Sequence, residues 1–166
     1  MKILVVSALT ALVVASVAWS ADRLTPNEFV MKASEAGTAE VELGKLAAQK
    51  ASAPEVKAFG ERMVADHTKA GAELEGIAGK KSLPGTKEPN AAHKKALADL
   101  RAKSGAEFDA AYARQMVMDH NEAVELFTAA SALPDAELSA FAKKTLPTLK
   151  DHQQMAGKLG AAHAAH

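Results

Sequence analysis

Four stretches of this chain place small or apolar residues at alternating steps of three and four, which is the spacing of a helical bundle seam. A helix with one such face must bury it against other helices, so the pattern restricts the chain to an all-α fold. It predicts a four-helix bundle with helices at 26–50, 53–79, 105–132 and 135–159. A short accessory helix is predicted at 90–103, in the connection between the second and third helices.

The predicted helix starts carry capping signals. A hydroxyl residue is followed three positions later by a glutamate, so that each side chain satisfies one backbone N–H, at Thr25/Glu28, Ser52/Glu55 and Ser104/Glu107. The fourth helix is predicted to begin near Asp135. Residues 80–89 contain two prolines and a glycine and are predicted to form a loop, which makes the connection before the third helix long. One long crossover favours a ferritin-like bundle, and simple up-and-down order remains an alternative.

The N-terminal segment resembles a secretory signal peptide. A basic residue precedes an uncharged apolar run at 3–19, and small residues then stand at the positions that a signal peptidase reads. We expect cleavage between Ser20 and Ala21, and therefore a periplasmic or secreted protein. If the segment stays uncleaved, it is the expected contact with the membrane. The predicted division of the chain is a signal peptide at 1–20, a bundle domain at 21–159 and a flexible tail at 160–166.

The amino-acid composition of the chain excludes several classes of site and partner. The chain has no cysteine, which excludes disulfides, thiolate metal sites and cysteine nucleophiles. Its 20 Lys and Arg balance 20 Asp and Glu, and no basic stripe with interleaved aromatic residues occurs, so nucleic acid is not an expected partner. The sequence leaves the protein partner and the oligomeric state open, a homo-oligomer among the alternatives.

Each of the four seams carries one ionisable residue near the middle of its helix, namely Glu40, His67, His120 and His152. Antiparallel helices bring their midpoints to the same level, so these side chains are predicted to meet in one core layer. A buried charge or imidazole without a partner costs several kcal/mol, so the four must satisfy one another, bind water or hold a cation. One carboxylate and three neutral imidazoles can hold a transition-metal ion, with zinc, copper or iron favoured.

An aspartate directly precedes each of the three histidines, at Asp66, Asp119 and Asp151. Adjacent residues point about 100° apart around a helix, so such an aspartate cannot share the direction of its own histidine. It can instead orient a metal-binding imidazole on a neighbouring helix. The alternative is that these aspartates lie at the flank of the seam and pair with lysines.

Three methionines share a helix face with the histidines. Met63 and Met116 precede a histidine by four positions, and Met155 follows one by three. Thioether sulfur beside imidazole suits copper(I), and methionine is also a common filler of irregular core space. His93, in the accessory helix, is predicted to be exposed to solvent.

Several of these segments, in this order, resemble a known family. They are Phe29-Val30, Glu40-Val41-Glu42-Leu43-Gly44, Met63-Val64-Ala65-Asp66-His67, Phe108-Asp109-Ala110-Ala111-Tyr112, His120, and Leu146-Pro147 with His152. The sequence is similar over about 26–159 to the bacterial exported family of domains of unknown function numbered 4142, which is placed with the ferritin-like bundles. The resemblance implies a periplasmic or outer-membrane-associated four-helix bundle, and it implies no particular activity.

The chain departs from the di-iron members of the ferritin-like fold. Those proteins use Glu-x-x-His motifs, and no glutamate stands three residues before any histidine here. A single metal ion held by Glu40 and the three histidines is therefore predicted. The leading hypothesis is a non-catalytic metal-binding bundle used in metal handling or envelope stress. The alternatives are a mononuclear metal-dependent oxidoreductase or hydrolase, and a structural or interaction bundle whose polar layer only fixes register.

Overall fold

The computed structural model describes residues 24–163, and every regular element in that range is an α-helix. The helices are α1 Pro26–Lys50, α2 Pro54–Lys81, α3 Ala91–Arg101, α4 Gly105–Ala130 and α5 Ala136–Ala162. The prediction of an all-α fold with four long helices and a short one is confirmed. Because α5 continues to Ala162, the first residues of the predicted tail at 160–166 are helical. The predicted signal peptide at 1–20 lies outside the described residues.

The helix starts agree with the predicted capping boxes at one position of three. Thr25 forms the full box, since its hydroxyl accepts the backbone N–H of Glu28 and the Glu28 carboxylate accepts the backbone N–H of Thr25. Ser104 precedes α4 without a side-chain cap. α5 begins next to Asp135 as predicted, and the Asp135 side chain caps it by accepting two backbone N–H groups.

The prediction that Ser52 caps α2 through its own box is wrong. The N-cap residue is Ala53, and no side chain caps the first turn of α2. The backbone N–H groups just before the helix donate instead to the carboxylate of Asp109, which comes from α4. Asp109 accepts the backbone N–H groups of Ser52 at 3.1 Å and Ala53 at 2.8 Å, and it also accepts the Ser52 hydroxyl. Because the Ser52 hydroxyl donates to Asp109, it does not accept a backbone N–H of the first turn, and Asp109 rather than Glu55 accepts the N–H groups that precede the helix.

The four long helices each run antiparallel to the neighbours against which they pack. α1 packs mainly against α2, and α4 mainly against α5, while α1–α4 and α2–α5 contacts join the two hairpins. We call one end of the bundle the lower end. There, Lys81 at the end of α2 forms an ion pair with Asp135, which directly precedes α5. At the other, the upper end, the α1–α2 turn meets Asp109 of α4. The connection that contains α3 therefore crosses from the lower end to the upper end.

Two apolar clusters fill the bundle above and below a polar layer at mid-height. The upper cluster contains Phe59, Met63, Phe108, Tyr112 and Met116 among its buried residues, together with Leu97 and Leu100 of α3. The lower cluster contains Phe29, Leu74, Phe127, Phe141 and Leu149. Glu40, His120 and His152 are buried between them. The polar layer thus lies between two apolar clusters, and an unpaired buried group in it is costly.

The upper half is held together by a close approach of two glycines. A Cβ atom on Gly44 would lie 2.6 Å from the backbone oxygen of Gly60, and one on Gly60 would lie 2.8 Å from that of Gly44. Only residues without a side chain allow α1 and α2 to come so near. Within residues 24–163, no helix combines the length and the apolar character that a membrane crossing requires.

Candidate metal centre

The polar layer brings three imidazoles together from three different helices. His67 lies on α2, His120 on α4 and His152 on α5, and one nitrogen of each ring lies within 4.8 Å of those of the other two. The ring centroids are 5.4–5.8 Å apart. These three residues form the imidazole cluster, and they are three of the four ligands that the sequence predicts.

Hydrogen bonds fix two of the rings so that one nitrogen of each is left free. His120 Nδ1 lies 2.9 Å from the carbonyl oxygen of Met116, to which it must donate, so Nε2 carries the lone pair. His152 Nε2 lies 2.8 Å from Oδ2 of Asp66, so Nδ1 carries the lone pair. Within the described part of the chain, His120 Nε2, His152 Nδ1 and His67 Nε2 are buried without a hydrogen-bond partner. A ring fixed at one nitrogen and free at the other is the arrangement of metal-binding histidines.

The imidazoles are held in the neutral form. Burial, together with the nearby His120 and His152 rings, lowers the pKa of His67 to about 3. Burial likewise lowers the pKa of His120 to about 4. Burial also lowers the pKa of His152, although its hydrogen bond to Asp66 acts in the opposite direction. Neutral imidazole is the form that binds metal, so the cluster is in its binding form at pH 7.

Asp66 has the position that the sequence predicts for an orienting aspartate. It lies on α2 next to His67, yet it accepts a hydrogen bond from His152 on α5. The Arg62 guanidinium also contacts Asp66 at 3.2 Å. Partial burial would raise the pKa of Asp66, but these two hydrogen bonds lower it. The carboxylate therefore stays charged and favours the Nε2–H tautomer of His152.

The other two aspartates do not contact the imidazole cluster. Asp151 is exposed on α5, and no hydrogen bond joins it to an imidazole within residues 24–163. Asp119 accepts a hydrogen bond from Gln115 of its own helix at 2.8 Å. It lies about 100° around α4 from His120, so it faces α1 and α3 while His120 faces α2 and α5.

Glu40 is at the predicted height but faces away from the three rings. It is only 4% exposed, and no oxygen of its carboxyl group belongs to the set of ligand atoms within 4.8 Å. Burial raises the pKa of Glu40 well above its usual range, and the proximity of Asp119 contributes to the rise. The seam pattern gives the height of a residue along its helix but not the direction of its χ angles.

His93 is buried, which contradicts the prediction that it is exposed. It is 9% exposed, and its Nε2 atom lies 3.4 Å from Oδ1 of Asp119. The reason is that α3 packs against both α1 and α4. The signal was present in the sequence, because His93 shares the spacing of a buried face with Leu97 and Leu100.

The methionines occupy different environments. Met63 and Met116 are fully buried in the upper cluster, as core residues would be. The sulfur of Met155 lies 3.1 Å from Nη1 of Arg62. A role for any of the three as a copper(I) ligand stays a prediction.

The imidazole cluster is closed above and open below. On the upper side, the Phe59 ring lies with its centroid 6.2 Å from that of His120 and 6.3 Å from that of His152. On the lower side, a cavity of about 1270 Å³ extends from the polar layer into the lower half. Its wall includes the three imidazoles, Asp66, Glu40, Asp119 and His93, together with apolar residues such as Leu74, Phe127 and Phe141.

Comparison with known proteins gives one family match. The model of the family described as "Domain of unknown function (DUF4142)" matches residues 14–159, which is most of the chain. Neither the comparison with curated proteins nor that with solved structures gives a match.

Proposed function

The chain belongs to the DUF4142 family, whose description assigns no activity, and we propose from the site itself that it binds one transition-metal ion through His67, His120 and His152. The supporting observation is that each of these rings has a buried nitrogen without a partner in the described part of the chain. Three such nitrogens would be costly in an apolar core, and a shared cation removes that cost.

The ligand chemistry favours particular ions. Neutral imidazole binds zinc and copper(II) well and also binds iron(II), whereas calcium and magnesium prefer oxygen ligands. The fixed tautomers of His120 and His152 support a pre-formed site, because their outer nitrogens are already bonded. Zinc is the ion we expect to be held most simply, since three nitrogens and one water complete its tetrahedral shell.

A metal-dependent enzyme is the second candidate function. The imidazole cluster supplies three protein ligands, and sites of this kind keep a fourth position for water or substrate. The cavity of about 1270 Å³ that the rings border supports access to that position. A metal ion there would lower the pKa of bound water, so a mononuclear hydrolase or oxidoreductase is the reaction class we propose for this alternative.

The proposed helix order follows from the connections between the helices, and the proposed location follows from the N-terminal sequence. The antiparallel packing and the crossover that contains α3 support a ferritin-like order of the four long helices. The signal-peptide pattern at 1–20 supports export, so we propose a periplasmic or secreted protein that acts in metal handling or envelope stress. A bundle whose polar layer only fixes register is the alternative that the following experiment excludes or establishes.

The test is zinc binding by the protein purified without a histidine tag, measured by elemental analysis and calorimetric titration. We expect one zinc per chain, with binding weakened at least 100-fold in the His120→Ala variant. The matched control is His163→Ala, which removes a histidine near the end of α5, outside the cluster. Bound zinc should also raise the free energy of unfolding, by about 2.7 kcal/mol at a free concentration 100 times Kd.

Two results would separate the hypotheses. If the wild type takes up no zinc, copper or iron and its melting temperature does not respond to them, the metal proposal is wrong and the layer is structural. If zinc binds and the zinc-loaded protein hydrolyses a panel of activated esters no faster than His120→Ala does, the esterase form of the enzyme alternative loses its support.

A further inference from the structure

The part of the bundle directly below the imidazole cluster is lined by small residues. Three of the four seam positions one turn below the polar layer are Gly37, Ala70 and Ala123, and the fourth is Leu149. All four line the cavity, and the three small residues are only half-buried although their spacing points them into the bundle. Within the described part of the chain, a Cβ atom on Gly37 would meet nothing within 4 Å. The cavity therefore begins directly under the imidazoles, where a packed bundle would have side chains.

The cavity ends below on a floor of large apolar side chains. Phe127 and Phe141 line it, and their ring centroids are 5.9 Å apart. Leu74 lies seven residues below His67 on α2, and Phe127 lies seven residues below His120 on α4. At a rise of about 1.5 Å per residue, these side chains start roughly 10 Å below the imidazoles. The space between suits a short apolar chain better than a single ion.

The upper end of the cavity favours an anionic group once zinc is bound. All three ligands of the proposed site are neutral imidazoles, so they leave the double positive charge of the ion uncompensated. Asp66, which accepts a hydrogen bond from His152, is itself paired with Arg62 at 3.2 Å, and these two charges offset each other. An anionic group in the open coordination position reduces the remaining positive charge, which is costly in an apolar core.

The two buried carboxyl groups of the cavity wall do not oppose an anion strongly. Burial raises the pKa of Glu40 well above its usual range, which favours the uncharged form. Oδ1 of Asp119 lies 3.4 Å from Nε2 of His93, and a hydrogen bond with Asp119 raises the pKa of His93. The positive charge that this favours on His93 offsets the negative charge of Asp119.

We propose that the cavity binds a medium-chain aliphatic monocarboxylic acid, whose carboxylate occupies the open coordination position of the zinc ion while its chain lies between Gly37, Leu74 and Phe127. This inference rests on the proposed zinc site at the imidazole cluster. The carboxylate supplies a negative charge and an oxygen ligand, and the chain removes the apolar wall from water. The cavity of about 1270 Å³ is larger than the roughly 300–1,000 Å³ that commonly holds a small ligand, so water shares the space.

The experiment is calorimetric titration of octanoate into the zinc-loaded protein. We expect one octanoate per chain, bound at least tenfold more tightly than acetate, which has the same head group and almost no chain. Octylamine has the same chain with a cationic head group, and it should bind at least tenfold more weakly than octanoate. Burial of the chain should also give octanoate binding a negative heat-capacity change that acetate binding lacks.

A pair of glycine variants tests whether the chain lies in the cavity. Gly37→Leu places a side chain in the open space below the imidazoles and should weaken octanoate binding at least tenfold. Zinc binding should stay within twofold, because α1 carries none of the three imidazoles. The matched control is Gly157→Leu on α5, which is not among the described residues of the cavity wall and should leave octanoate binding unchanged. Circular dichroism confirms that both variants are folded.

Zinc content, measured first by elemental analysis, distinguishes failure of this inference from failure of the zinc proposal. If zinc binds but octanoate binds no more tightly than acetate, or if Gly37→Leu and Gly157→Leu bind octanoate equally, the inference is overturned and the zinc proposal stands. If the metal-free protein binds octanoate as tightly as the zinc-loaded protein does, the carboxylate is not on the metal and the inference is again overturned. A protein that takes up no zinc overturns both.

Discussion

The upper and lower halves of the bundle are built from the same four long helices and differ in how closely these pack. In the upper half, Gly44 and Gly60 bring the α1 and α2 backbones into contact, and Phe59 closes the polar layer. In the lower half, a Cβ atom on Gly37 or Gly71 would meet nothing within 4 Å, and the cavity occupies the space between the hairpins. The same residue type therefore allows close contact in one half and leaves open space in the other.

The difference teaches that small residues alone do not predict packing density. A small residue brings helices together only where it faces another small residue across the interface, as Gly44 faces Gly60. Where it faces open space, it leaves room for solvent or a ligand. The polar layer lies at this boundary, and its groups border the cavity of the lower half.

The largest expected effect is a loss of stability that differs between substitutions above and below the polar layer. Phe59→Ala should lower the free energy of unfolding by about 3–5 kcal/mol, because Phe59 is 1% exposed in the closed half. Phe127→Ala should cost about 1–2 kcal/mol less than Phe59→Ala, since Phe127 already borders the cavity. Urea unfolding of the metal-free proteins measures both. Equal losses would mean that the lower half is as tightly packed as the upper.

The second effect uses one substitution at the glycine contact. Gly44→Ala should lower the free energy of unfolding by about 3 kcal/mol, the upper end of the cost of overpacking, because its Cβ meets the Gly60 backbone. That oxygen belongs to a helix and cannot turn aside as a side chain would. Thermal and urea unfolding give the measurement, and a loss below the usual scatter of surface substitutions would contradict the close contact.

The third effect is a pH dependence at the boundary between the halves. The pKa of His67 is about 3 in the folded protein, below its ordinary value, so the unfolded chain takes up the proton first as the pH falls. The contribution of neutral His67 to the free energy of unfolding is therefore present above about pH 6.5, and it is lost progressively as the pH falls toward 3. Between pH 7 and pH 5, the metal-free wild type should lose about 2 kcal/mol more than His67→Gln does.

In the difference between the wild type and His67→Gln, the contributions of the other titrating groups cancel. The pKa values of Glu40 and His93 are raised by their surroundings and act in the opposite sense, but they are common to both proteins. Urea unfolding at several pH values in the presence of a chelator gives the two curves. Parallel curves would mean that His67 already takes up its proton in the folded state.

The smallest effect should have the opposite sign. Gly37→Ala stands on the same helix as Gly44, seven residues earlier, and its Cβ would enter open space. It should raise the free energy of unfolding by about 0.5–1 kcal/mol, because alanine favours the helix and restricts the unfolded chain. Opposite changes in stability in Gly37→Ala and Gly44→Ala would confirm that the two halves differ in packing.

The sequence predicts the helices and the height of the polar layer well, because both depend on periodicity along one helix. It predicts His67, His120 and His152 as neighbours for the same reason. It predicts Glu40 as a fourth ligand, but no Glu40 oxygen belongs to the set of ligand atoms within 4.8 Å, because periodicity does not give side-chain direction. It also misplaces His93, although the spacing of His93, Leu97 and Leu100 indicates one buried face of the accessory helix. The cavity has no sequence signal, since it arises from the spacing between hairpins.

The Asp109 carboxylate that accepts the N–H groups of Ser52 and Ala53, in the turn before α2, has a consequence for how the protein folds. Because the acceptor comes from the second hairpin, the first hairpin leaves backbone N–H groups of its turn unsatisfied until the two hairpins dock. Neither hairpin is then an independent folding unit. Local unfolding of one hairpin removes hydrogen-bond partners from the other. The amide of Ala53 should consequently exchange with solvent deuterium as slowly as amides in the middle of the long helices.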